Sequence, residues 1–139
     1  MADAVTSQTL ADGDRIAVVK FTNISDGTGE SSVEKVDISA LAASNAGLTP
    51  ALATIEQVWY DIAGMRVALE WNATSNVVAA VLGTSLGVGT NVSGHMDFRS
   101  FGGIKNTLAS GYDGNIDLTT HGHTAHDHYT VVLQLRKSY

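Results

Sequence analysis

Apolar and polar residues alternate with a period of two through most of this chain, the spacing that sends successive side chains to opposite faces of a β-strand. From Arg15 to Asn23, Ala17, Val19 and Phe21 alternate with Ile16, Val18 and Lys20. Both faces are largely apolar, so the run belongs in a sheet interior. Ser25-Asp26-Gly27-Thr28-Gly29 has the composition of a turn, and Ser31 to Ile38 resumes as a strand with Val36 and Ile38 on one face and Val33 on the other. The two runs predict a hairpin.

Between Ile38 and Leu48 the alternation lapses into Ala, Leu and Ser, which predicts one short helix near residues 39–47, capped by Ser39, stopped near Gly47 and closed off by Pro50. From Thr54 the period returns. Val58, Tyr60 and Ile62 share one face and Gln57, Trp59 and Asp61 the other, with Gly64 as the break before Val67, Leu69 and Trp71 oppose Arg66, Ala68 and Glu70. These runs predict a second hairpin.

Asn72 to Asn76 is a polar turn into Val77 to Leu82, and the glycine-rich stretch Gly83 to Gly89 reads as a surface loop. Gly94 to Arg99 is a short strand, Ile104 to Ser110 is irregular, and Asn115 to Thr119 and Tyr129 to Arg136 are the last two strands. Eight or nine short strands separated by turn clusters predict an all-β fold. The expected form is a single antiparallel β-sandwich with jelly-roll-like or other Greek-key connections.

Composition sets the scale of that sandwich. A chain of 139 residues, 44% hydrophobic, supports one core and therefore one domain over residues 1–139, with residues 1–10 a candidate N-terminal arm. Fourteen glycines against one proline suit tight turns between strands. Only 16% of the residues are charged, which leaves the weakly charged polar surface tolerated in assemblies. A net charge of −6, with eight scattered Lys and Arg, argues against a nucleic-acid partner, whose phosphates require clustered cations. There is no cysteine, and hence neither a disulfide framework nor a thiolate metal site.

Met1 to Thr6 lacks the basic and apolar stretches of a secretion signal, and no apolar run approaches the roughly 20 residues of a membrane span. The expectation is a chain made and kept soluble, without a membrane partner. The Asn23, Asn72 and Asn91 matches to the N-glycosylation pattern are then chance.

Candidate chemistry concentrates in one segment. His121, His123, His126 and His128 are four of the five histidines. If residues 121–128 turned as a hairpin on Thr124-Ala125, His123 would face His126 and His121 would face His128, with opposed Cβ atoms about 5 Å apart. That is chelating distance for a divalent metal, and shared protonation near pH 6.5 would weaken the cluster. Thr-Ala lacks the positive-φ preference of a two-residue turn, however, a four-histidine set is unlike ordinary structural zinc sites, and a catalytic site would want a carboxylate, for which Asp117 and Asp127 are the only local candidates. Polar loop histidines without a ligand are the leading reading, and catalysis ranks last.

Elsewhere the chemistry is thin. Gly83 to Gly89 lacks the Gly-Lys-Ser/Thr of a phosphate loop, and Asp12-Gly13-Asp14 reads as a turn before a calcium site. Trp59, Trp71, Tyr60 and Phe98 have the make-up of a carbohydrate-binding face, but three of them carry the parity of core residues. Trp59 is the exception, and is the candidate interface or ligand anchor.

Four blocks carry a resemblance. Phe98-Arg99-Ser100-Phe101-Gly102-Gly103, then Gly114-Asn115-Ile116-Asp117-Leu118-Thr119-Thr120-His121-Gly122-His123-Thr124-Ala125 and Tyr129 to Lys137, resemble small virion structural proteins of tailed bacteriophages. The block Asp14 to Val36, with Lys20-Phe21-Thr22-Asn23 and the turn from Ser25 to Glu30, is similar to the same group. Together they span just over a third of the chain, and His126 and His128 fall outside the match. The resemblance implies a non-enzymatic capsid decoration or cement protein on the outer capsid surface of the virion, whose partners are the major capsid protein and further copies of itself in a homotrimer. Met1, Ala2, Asp3, Val5, Leu10 and Trp59 would be its contacts. The rival expectation is an accessory sandwich of the tail, neck or baseplate that touches a host glycan, and a metal-dependent enzyme at the histidines comes last.

Overall fold

The computed structural model describes residues 4–83, 91–106 and 112–139. Its strands are β1 (Ala4–Asp12), β2 (Ile16–Ile24), β3 (Val33–Val36), β4 (Leu52–Ala63), β5 (Arg66–Ala73), β6 (Val77–Gly83), β7 (Asn91–Asp97), β8 (Ile104–Lys105), β9 (Tyr112–His121) and β10 (His128–Ser138). One sheet runs β1-β2-β10-β4-β7, with β8 also on β4; the second runs β3-β9-β5-β6. Every pairing is antiparallel. The two sheets face each other as a sandwich, in agreement with the all-β reading of the sequence.

The alternation explains which face is which. Ala17, Val19 and Phe21 of β2, Val58 and Ile62 of β4, and Val131, Leu133 and Leu135 of β10 point inward and are buried. From the other sheet Val67, Leu69 and Trp71 of β5 and Ile116 and Leu118 of β9 meet them. At the centre of the larger sheet, β10 pairs with β2 from His128 to Arg136 on one side and with β4 over its whole length on the other.

Both predicted hairpins at β2–β3 and β4–β5 are corrected, because the partners lie in different sheets. The connection Gly64-Met65 is a corner between layers. Met65 is 1% exposed, an apolar plug where a hairpin tip would be polar, and Gly64 adopts φ +79° with the Asp127 carboxylate packed where a Cβ would stand. Residues 25–32 dock instead on the end of β9: Glu30 N–H donates to Thr120 Oγ1 at 2.9 Å, and Ser32 N–H to Thr119 Oγ1 at 2.9 Å. Glu30 is buried with its carboxylate on Lys35, whose side chain is 2% exposed, so each charge is compensated by the other.

The predicted helix over 39–47 shrinks to a single 3-10 turn, Ile38–Ala40. Its cap is Asp37, which accepts from Ser39 N–H at 3.1 Å, and not Ser39 itself. Burying Ile38 holds the turn in place, whereas Ala42, Ala43 and Leu48 are exposed and give a longer helix no apolar face to bury. The polar turn expected over Asn72 to Asn76 joins β5 to β6 as an antiparallel pair, with Asn76 Oδ1 accepting from Ala73 N–H at 3.0 Å. The loop expected over Gly83 to Gly89 lies, after Gly83, outside the described residues, as do residues 107–110 of the stretch expected to be irregular.

Candidate functional site

The histidine segment does not turn back on itself. β9 ends at His121 in the smaller sheet and β10 begins at His128 in the larger, so residues 122–127 cross the end of the sandwich. Asp127 organises that crossing: its carboxylate accepts from Thr124 N–H at 2.7 Å and Thr124 Oγ1 at 3.0 Å, and its carbonyl accepts from Ser25 N–H at 2.7 Å.

The crossing separates the four imidazoles. His121 is exposed beside Arg66 of β5, and His123 packs its ring on Gly29 with Nδ1 3.2 Å from Thr120 Oγ1. His126 is exposed with φ +76°, and His128 is exposed at the start of β10. Among the described residues no group of three or more His, Asp or Glu side chains converges as metal ligands, and the chelating hairpin drawn from the sequence is not formed.

The predicted interface residues divide into two places. Met1, Ala2 and Asp3 lie outside the described residues. The N-terminal arm is corrected from Ala4 onward to an edge strand, since β1 pairs with β2 along its length, with Leu10 bulged out between Thr9 and Ala11. All nine residues of β1 are exposed, Val5 by 44% and Leu10 by 48%. The smaller sheet stops short beneath it. A cleft of about 210 Å³ is left there, lined by Ser7, Thr9 and Asp12 on one side and Lys35, Val36 and Leu41 on the other.

Trp59 sits elsewhere, on the outer face of the larger sheet three strands from β1. Its indole is 36% exposed and stacks on His95, with ring centroids 4.9 Å apart and planes 12° apart. The His95 ring is itself held. His95 Nε2 lies 2.8 Å from Gln57 Oε1, and Gln57 Nε2 donates to Gln134 Oε1 at 2.9 Å. Gln134 Nε2 donates to Glu56 Oε1 at 3.1 Å, and Glu56 takes Arg136 at 3.2 Å on its other oxygen. Because Gln57 Oε1 accepts, the His95 nitrogen facing it carries the proton. A bulge in the β4–β10 register at Gln134/Leu135 leaves Glu56 without a Cα partner on β10, beside Gln57.

The remaining aromatics follow their parity. Trp71 is buried, and Tyr60 and Phe98 pack against the core. On the opposite face of the sandwich Asp117, 4% exposed, has its carboxyl pushed up by burial, with a hydrogen bond from Asn76 opposing and the charges of Glu34, Asp113 and Glu70 adding to the rise. Asp97 is held down to about 2 by its hydrogen bonds from Arg99.

Sequence reasoning found Trp59 but missed His95, Gln57, Gln134, Glu56 and Arg136. The parity of Gln57 with Trp59 was visible. His95 and Gln134 join them only through the pairing of β7 and β10 with β4, which adjacent residues do not encode.

No protein-family model matches this chain, and no curated protein matches it. Among solved structures, a cupin superfamily protein from Desulfitobacterium hafniense is 12% identical, covering 100% of this chain and 82% of its own, at a TM-score of 0.32. A likeness that faint carries no argument about fold or function.

Proposed function

We propose that this chain is a non-enzymatic structural protein of a tailed-phage virion, a decoration protein that binds the outer shell and stabilises contacts between neighbouring capsomers. The observation that carries the reading is β1, a nine-residue strand with no buried residue, whose outer backbone edge pairs with no other strand among the described residues and which borders a cleft. Strands of this kind invite pairing with another chain, and Val5 and Leu10 add apolar area that a partner would cover. The resemblance of the sequence blocks to virion structural proteins supports the major capsid protein as that partner, with further copies of this chain in a trimer. A subunit that binds only the assembled shell stabilises it by mass action, and many weak copies act together.

Quantitative mass spectrometry of purified virions, scaled to the major capsid protein, tests the reading. The expected result is a count in the hundreds, on the order of one copy or trimer per capsomer. A count of about three to twelve would overturn shell decoration and place the protein at a unique vertex, in the neck or tail. The paired substitution Val5→Lys with Leu10→Lys is expected to abolish binding to undecorated shells while the isolated protein keeps its melting temperature, since both side chains are already solvent-exposed.

A further inference from the structure

A second surface is built around Trp59, distinct from the β1 margin and independent of how the subunit attaches. Cross-strand pairing lays two rows across β10, β4 and β7: Val132, Trp59 and His95 in one, Thr130, Asp61 and Ser93 in the next. The rows are about 7 Å apart and neighbours within each about 5 Å apart. A depression of about 270 Å³ opens over them, lined by Trp59, Asp61, Ser93, Thr130 and Val132, with Tyr60 and Gly94 between the two rows.

Each row has its own chemistry. The first is an apolar platform with a flat ring at its centre. The second offers two hydroxyls, which donate and accept, around a carboxylate, which only accepts. One face of the indole is covered by His95, which does not line the depression, whereas Trp59 itself does. The hydrogen-bonded chain from Arg136 through Glu56, Gln134 and Gln57 fixes the His95 ring, and with it the plane of the platform. An exposed tryptophan held this way is pre-organised, so little freedom is lost when something stacks on it.

We infer that this depression binds a neutral pyranose sugar, the terminal unit of a surface glycan. A pyranose has the two-sided character the rows require, a C–H face for the indole and a rim of hydroxyls for Asp61, Ser93 and Thr130. The volume suits one ring and little more. Asp61 and the chain's net charge of −6 disfavour anionic sugars, which sets the ligand class apart from sialic or uronic acids.

Saturation-transfer NMR and titration calorimetry on the whole protein, with methyl glycosides of glucose, galactose, mannose and N-acetylglucosamine, test the assignment. At least one should bind with a dissociation constant on the order of 1–10 mM, as expected of a single small ring on an open surface. Trp59→Ala should weaken it by about tenfold or more at an unchanged melting temperature, and Asp61→Asn should weaken it too. Should Trp59→Ala fold poorly, Trp59→Phe keeps a smaller platform and should retain measurable but reduced affinity. No saturable binding of any neutral glycoside overturns the proposal, as does binding that survives loss of the indole, or sialic acid bound as tightly as the neutral sugars. If Trp59→Ala releases the protein from shells while no sugar binds, the platform is a protein contact and the proposal fails.

Discussion

Asp117 shows how one buried charge can be read in both directions. Its pKa is raised above the ordinary 3.8, chiefly by burial, so the folded chain holds that proton more tightly than the unfolded chain does. Its contribution to stability is therefore full below the unfolded value and is lost as pH rises through the raised one; at neutral pH the carboxylate is a net cost. Asp117→Asn keeps an oxygen for Asn76 and removes the charge. The variant should be more stable at pH 7 by roughly 1 kcal/mol, a few degrees in Tm, and the gap should close as pH falls below 3.8. Urea unfolding of both proteins at the two pH values reads this directly, and a less stable Asn variant at pH 7 would mean that another bond to the carboxylate outweighs its burial. The histidines were legible at this scale only as residue types. What each one does was decided by Asp127, which closes the crossing segment and sends His121 and His128 to different sheets.

Among the strands, β1 stands apart because, away from Asp12, whose carboxylate takes the Lys137 ammonium and the Ala42 N–H, its exposed residues are held mainly by pairing with β2. Local opening should therefore be easiest there. Amide hydrogen exchange of the free protein should show the bonded amides of Ala4–Asp12 exchanging well before those of β4 and β10, and binding to shells should slow the β1 amides selectively. Exchange at the rate of the central strands would contradict the picture of an uncovered margin. Strand existence was largely legible from alternation: β2, β4, β5 and β10 lie where the period of two put them, and Trp59 faces outward as its parity required. Connections were not legible. Gly64-Met65 has the length of a hairpin turn, and only the burial of Met65, a tertiary fact, reveals a corner. The stretch after Ile38 had helical composition without an apolar face to bury, so propensity alone could not sustain a helix there.

Taken whole, the sandwich separates the two surfaces on which the proposals rest, the exposed margin along β1 and the outer face at Trp59, three strands apart. Both depend on β10, the strand that joins β2 to β4 in the centre of the larger sheet. A fragment of residues 1–127, which lacks only β10 and Tyr139, should show no cooperative unfolding transition by circular dichroism; a two-state melt near that of the full chain would assign the core to other contacts. The position of β10 also sets an order of events during synthesis. β2 and β4 leave the ribosome with their inner faces bare and no strand between them, and must stay apart from other nascent chains until residues 128–138 arrive. A chain made in many copies at once would thus be most prone to aggregate before synthesis reaches β10, and its yield would be governed by how quickly that strand is delivered rather than by the stability of the finished fold.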